Sequence, residues 1–229
     1  VFFSVACNGS FWEASLAGRA LSQPATWLFA AGLFTAVTSI HFILLCLLLN
    51  RWTAKPLLGL IIVVTAFAAY YMSAFTVFLD PGMLRNVLRT DAKEAGELLT
   101  PGMLPSLLVL AVLPWLVLWR IRLRFDSFWR ALFIRLLAVF VAILLGAGAL
   151  LAVFQDVAPL MRNNKEIRYL ITPANYLYSL VRVISADAGT AARPRLQIGL
   201  DATQAESWRQ RGKPALVVIV VGETARAAN

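Results

Sequence analysis

Long runs without a single charge constrain this chain more than any other feature of its sequence. Leu28–Leu49, Pro56–Leu79, Leu98–Trp119 and Leu136–Gln155 contain no Asp, Glu, Lys or Arg. A hydrocarbon core ~30 Å thick needs about 20 apolar residues of helix, so each run is long enough to cross. Composition agrees: 60% of the 229 residues are hydrophobic and 14% charged, against ~45–50% and ~25% in soluble domains. A soluble domain and a disordered chain are both excluded, because apolar surface on this scale must be buried in protein or lipid. Residues 1–12 are also uncharged, ending at Glu13. They are too few to span and are expected to be the tail of a first, truncated spanning helix, which makes a bundle of five.

Charge in the loops gives the direction. Residues 51–55 and 120–135 carry Arg51, Lys55, Arg120, Arg122, Arg124, Arg130 and Arg135 against Asp126 alone. Loops 10–27 and 80–97 hold four basic and five acidic residues. Lys and Arg mark the cytoplasmic side, so the 80–97 loop and everything after Gln155 are expected outside the cytoplasm. The net charge of +9 is therefore read as membrane topology and not as a nucleic-acid footprint. Trp52, Trp115, Trp119 and Trp129 near the interfaces fit an aromatic belt. Pro114 predicts a kink in the third complete run. Cys7 and Cys46 lie in apolar stretches and suggest neither a disulfide framework nor a metal knuckle.

After Gln155 the composition becomes mixed, and three segments are expected: a transmembrane part over 1–155, a linker over 156–213, and a new domain from 214. Thr172-Pro173 reads as the N-cap and first residue of an interfacial helix running to about Ser185, with Tyr169, Tyr176 and Tyr178 free to rest at the lipid surface. Ala186–Pro194 reads as a flexible connection. Ala215–Val221, seven apolar residues rich in β-branches and closed by Gly222, reads as a buried strand of a parallel sheet.

Two places could carry chemistry. On a continuous helix, Asp80–Leu99 puts Leu84, Leu88, Ala95 and Leu99 on one stripe and Asn86, Thr90, Glu94 and Glu97 on the opposite one. Arg85, Arg89 and Lys93 form a third stripe. An amide, a hydroxyl and a carboxylate in a row beside cations could hold a zwitterionic phospholipid headgroup, or could be a solvated polar face. The second place is Gly222-Glu223-Thr224-Ala225-Arg226, where a carboxylate at the carboxyl end of a strand suits a hard-oxygen metal ligand, or a cap paired with Arg226. His41, alone in its apolar run, is expected to hydrogen-bond inside the bundle. Thr35, Thr38, Ser39, Gly146 and Gly148 suit close helix packing.

Taken together, VVIVVGETARAAN at 217–229, MLRNVLRTDAKEAGELL at 83–99 and RYLITPANYLYS at 168–179 resemble the lipid A phosphoethanolamine transferases, the family that includes the mobile colistin-resistance enzymes. The resemblance runs over essentially the whole chain. It implies a mainly α fold: a five-helix membrane bundle with a periplasmic amphipathic helix and linker, leading into the first β-strand of an α/β alkaline-phosphatase-like domain. It implies a multi-pass bacterial inner-membrane enzyme, a monomer among membrane lipids with no nucleic-acid partner and with its C-terminal part periplasmic. Such an enzyme takes phosphoethanolamine from phosphatidylethanolamine, carries it on a threonine and passes it to a lipid A phosphate. Glu223 then inherits a zinc-ligand role, and Asn86, Thr90 and Glu94 inherit substrate contacts. Thr224 does not match the family's nucleophile, so no catalytic residue is assigned in these 229 residues and the chain by itself is expected to be inactive. Phe75 stands where some relatives have a tyrosine. A phosphoglycerol transferase of the same architecture and a non-enzymatic membrane carrier or scaffold are the alternatives.

Overall fold

The computed structural model describes residues 1–123, 127–191, 199–203, 206 and 218–219. It divides into two compact units, Val1–Thr190 and Ala191–Asn229. In the second, Gly199 (φ +78°) takes the left-handed conformation of a turn, and Leu200, Val218 and Ile219 are exposed. Apart from Val218 and Ile219, the strand expected over 215–221 lies outside the described residues, as does Glu223. Among the described residues there is no strand.

The first unit is helical. Four helices are long and apolar enough to cross a membrane: α3 (Pro24–Leu48), α4 (Ala54–Phe75), α7 (Pro101–Arg120) and α8 (Phe128–Ala152). Only 6% of the most apolar window of α8 is buried against protein, so most of that helix needs a lipid surround. Trp52, Trp119 and Trp129 are exposed near helix ends, where indole rings sit well in the headgroup layer. The α8 helix starts at Phe128 and so includes Arg130 and Arg135, which were expected in the preceding loop. Charge bounds the hydrocarbon and not the helix, and long basic side chains reach back to the interface from the first turns.

The helices pack through small residues. A Cβ at Gly146 of α8 would lie 2.9 Å from Ser39 Cβ of α3, and one at Gly32 of α3 would lie 2.8 Å from a Val153 methyl. Neither position has room for a side chain, which lets the two backbones approach closely. Gly148, expected in the same role, has nothing within 4 Å of its missing Cβ. The α7 helix passes through a π-turn over Leu108–Val112 in which the Leu113 amide bonds to the Leu108 carbonyl. The wider turn comes directly before Pro114, whose ring supplies no N–H and crowds the carbonyl four residues back.

The first sixteen residues do not form one straight helix end. They make two short helices, α1 (Phe2–Ala6) and α2 (Gly9–Leu16), separated at Cys7-Asn8. The Asn8 amide donates to the Phe3 carbonyl at 2.6 Å, competing for an acceptor that a continuing helix would need. Its remaining capacity goes to a residue 164 positions away: Asn8 Nδ2 donates to the Thr172 carbonyl at 2.8 Å, and the Thr172 amide donates back to Asn8 Oδ1 at 2.9 Å. Thr172 Oγ1 donates to the Cys7 carbonyl at 2.8 Å. The hydroxyl expected to cap a helix thus joins the broken N-terminal segment instead, and both residues are buried.

Beyond α8, α9 (Phe154–Asn163) and a 3-10 turn over Lys165–Leu170 lead to α10 (Ala174–Ala191). The start of α10 is not interfacial. Tyr176, expected at the lipid surface, is buried with its hydroxyl 3.0 Å from Thr65 Oγ1. Thr65 lies ten residues, about 15 Å of helix rise, before the end of α4 at Phe75. Asn175 Nδ2 reaches Met72 Sδ, and Ser179 Oγ donates to the Leu79 carbonyl at 2.8 Å. The chain therefore turns back into the bundle after its last span and climbs out along α4. The helix also continues through Ala186–Ala191, expected as a flexible connection: alanines favour helix, and Asp187 is tied to Arg85.

His41 Nδ1 lies 3.0 Å from Ser4 Oγ, which also accepts from Thr38 at 3.0 Å. This agrees with a hydrogen bonder facing the bundle interior. Replacing Asn8 by Ala should leave the buried amide and carbonyl of Thr172 without partners, at about 1–3 kcal/mol for each. Thermal unfolding in detergent is expected to show Asn8→Ala markedly less stable than Asn86→Ala, whose side chain is exposed. Equal melting of the two variants would contradict the exchange between Asn8 and Thr172.

Candidate functional site

The segment after α4 was expected as a single helix, and it is two. Asp80 caps α5 (Pro81–Arg89), its carboxylate accepting from the Met83 amide at 2.7 Å. Thr90 is extended (φ −62°, ψ 130°) and ends that helix. Asp91 then caps α6 (Ala92–Glu97), with Oδ1 accepting from the Lys93 and Glu94 amides at 2.9 Å each. The signal was present in the sequence as Asp-x-x-Glu at 91–94, the pattern of a helix start.

The break rearranges the proposed row. Asn86 and Thr90 remain one turn apart, and Thr90 Oγ1 donates to the Asn86 carbonyl at 2.9 Å. Glu94 stands in the first turn of the next helix, on a separate axis. Asn86 and Glu94 are exposed and Thr90 is half-buried. Neither the Asn86 amide nor the Glu94 carboxylate has a side-chain partner among the described residues, so both can receive one. The apolar stripe meets the bundle only in part: Leu84 is half-buried, whereas Val87 and Leu88 are about half exposed and Leu99 is 59% exposed. Apolar side chains beside Arg85, Arg89 and Lys93 make a surface suited to the headgroup layer of a bilayer.

Two tyrosines and an ion pair fix this surface on the bundle. Tyr71 donates to the Leu98 carbonyl at 2.8 Å, and the Tyr70 hydroxyl lies 3.3 Å from Thr100 Oγ1. Tyr71 also stacks on Phe75 at 5.7 Å between ring centroids. Arg85 Nη2 meets Asp187 Oδ1 of α10 at 3.0 Å. One of the three cations expected to face a phosphate is thus engaged by the linker helix, a partnership that nothing in the local pattern indicated.

The chain has relatives among known proteins. Residues 37–188 match the family model of the phosphoethanolamine transferases EptA/EptB. This chain belongs to that family. It is similar to the phosphatidylethanolamine transferase Mcr-2 of Escherichia coli, with 28% identity over 99% of this chain and 42% of that protein. Mcr-1 of the same species is 31% identical over 77% of this chain and 33% of its own length. Among solved structures, the integral membrane lipooligosaccharide phosphoethanolamine transferase A from Neisseria meningitidis superposes with a TM-score of 0.77 at 25% identity. That superposition covers 84% of this chain and 36% of the solved one. The chain thus spans about two fifths of the length of curated relatives it matches. The family is one of enzymes, and the bundle belongs in a membrane.

The two carboxylates that cap α5 and α6 act on separate helices, so removing one should leave the other intact. Asp91→Ala is expected to cost about 1 kcal/mol of local stability. Amide exchange should quicken at Lys93 and Glu94 while Met83 keeps its protection. A loss spreading through α5 as well would mean that the segment behaves as one helix after all.

Proposed function

We propose that this chain is the membrane part of an enzyme that takes phosphoethanolamine from phosphatidylethanolamine and passes it to a lipid A phosphate. The observation that carries the proposal is the match of residues 37–188 to the phosphoethanolamine transferase model, joined to a polar surface at the end of the bundle opposite the basic loops. The related proteins named above are phosphoethanolamine or phosphatidylethanolamine transferases, which favours this reading over a phosphoglycerol transferase or a carrier. Residues 1–16 then close a five-helix bundle in the bacterial inner membrane. Residues 214–229 lead into a periplasmic α/β domain of alkaline-phosphatase type, and the enzyme works as a monomer.

In this reading Asn86, Thr90 and Glu94 receive the donor lipid. The Glu94 carboxylate faces the ethanolamine ammonium, the Asn86 amide and Thr90 hydroxyl orient the headgroup, and Arg89 and Lys93 stand beside the phosphate. Val87 and Leu88 remain among the acyl chains. Glu223 is the zinc ligand this chain would contribute, its hard oxygen being a suitable donor. Among the described residues no three His, Cys, Asp or Glu side chains gather, and a tetrahedral zinc site would need three ligands besides Glu223. Zinc bound there would stabilise charge on the transferred phosphate.

Two experiments test this. Cysteine labelling in intact cells should find a probe at Ala92 reachable from the periplasm and one at Ser127 protected; the reverse would overturn the orientation. In the full-length enzyme Glu94→Gln removes the charge that faces the ammonium and leaves shape nearly unchanged. A charge-assisted contact is worth ~1.5–3 kcal/mol, so donor use should fall roughly ten- to a hundredfold at normal expression. Leu79→Asp, which places a charge in the buried core, should instead reduce folded protein. Full activity of Glu94→Gln would leave the row a solvated face.

A further inference from the structure

A cavity with polar groups in a mostly apolar lining opens in the same unit, away from α5 and α6. It has a volume of about 470 Å³ and lies between the broken N-terminal segment, the last turns of α4 and the start of α7. Ser10, Glu13, Tyr70, Ser73 and Ser106 bring one carboxylate and four hydroxyls to it, and Leu110 contributes to its apolar wall. The cavity exists because the helix breaks at Cys7-Asn8: Asn8 spends its side chain on Phe3 and Thr172, and α2 leaves on a new axis. Ser73 is two residues from the end of α4 and Ser106 is near the start of α7. The opening is therefore at the end of the bundle away from the basic loops, where headgroups and glycerol lie.

The chemistry of the lining selects a ligand class. Glu13, Ser10, Ser73 and Ser106 make no side-chain hydrogen bond or ion pair to any described residue, and no basic side chain lines the cavity. An unpaired carboxylate beside hydroxyls favours a cation that is also a hydrogen-bond donor. It disfavours a headgroup that brings negative charge alone, which would meet like charge. An apolar wall that includes Met72 and Leu110 suits an acyl chain. We infer that this cavity binds the primary ammonium headgroup of a membrane lipid through Glu13, as an amine site separate from the Asn86, Thr90 and Glu94 row. The inference rests on the membrane placement and not on which residues serve transfer.

Spin-labelled phosphatidylethanolamine, phosphatidylcholine and phosphatidylglycerol, each in nanodiscs of otherwise neutral lipid holding this 229-residue chain, provide the test. The wild-type chain should hold phosphatidylethanolamine in preference to phosphatidylglycerol and, because a quaternary ammonium donates no hydrogen bond, to phosphatidylcholine. In a Glu94→Gln background, which silences the other amine row, Glu13→Gln should lower the preference over phosphatidylglycerol roughly tenfold. Glu13→Asp should keep most of it, and Glu94→Gln should leave this site's contribution in place. Melting temperature reports whether each variant is folded. An unchanged preference when Glu13→Gln is added to that background in folded protein overturns the inference and leaves the transferase reading intact. Loss of the entire preference in Glu94→Gln also overturns it, by making the α5–α6 row the sole amine site.

Discussion

The rest of this structure depends on one exchange of hydrogen bonds, between the side chain of Asn8 and the backbone of Thr172. A buried amide with two donors and an acceptor has to be satisfied inside a bundle that offers no water. Asn8 meets that demand by taking the Phe3 carbonyl from its own helix and both backbone groups of a residue 164 positions later. Two consequences follow from one side chain. The N-terminal helix breaks, creating one wall of the cavity that Glu13 lines. The segment after the last span is drawn back into the bundle, where Thr172, Asn175 and Tyr176 find partners on Cys7, Met72 and Thr65.

The re-entry matters for function because of where α10 then runs. Ser179 holds the Leu79 carbonyl just before α5, and Asp187 holds Arg85 within it. An exposed ion pair of this kind adds little stability, typically below ~1 kcal/mol. Its value is positional: the amphipathic segment is fixed on one side by Tyr70 and Tyr71 and on the other by the linker helix. In the proposed reading, headgroup transfer needs the membrane contacts held in a set place. In this chain the linker helix is tied to the amphipathic segment through Asp187 and Arg85.

Much of the architecture was legible in the sequence, and for a physical reason. Bilayer thickness dictates the length of an apolar run, so the first three complete spans emerge within a few residues of their observed limits, and Ser39 and Gly146 could be read as packing residues. The start of α8 was misplaced because Arg130 and Arg135 are tolerated inside a helix whose ends reach the interface. The division of residues 80–99 was legible but overridden: a continuous 3.6-residue period joined Asn86, Thr90 and Glu94, while Asp91 three residues before Glu94 marked a new helix start. The Asn8–Thr172 exchange had no local signature. An amide in an apolar run announces that a partner exists but not which one, and a Thr-Pro pair before a helix looks like an ordinary cap. Tyr176 was misread for the same reason, since an amphipathic ring suits an interface as well as a buried hydroxyl partner.

The docking of the linker into the bundle is the central claim, and amide hydrogen exchange at Thr172 tests it most directly. Thr172 lies between helices, outside any span, and its N–H would exchange rapidly if the segment rested at the membrane surface. With that N–H donated to a buried Asn8 side chain, selectively threonine-labelled protein should show it exchanging as slowly as Thr65 in the core of α4. Exchange as fast as at an exposed residue such as Thr203 would mean that residues 165–176 do not re-enter the bundle.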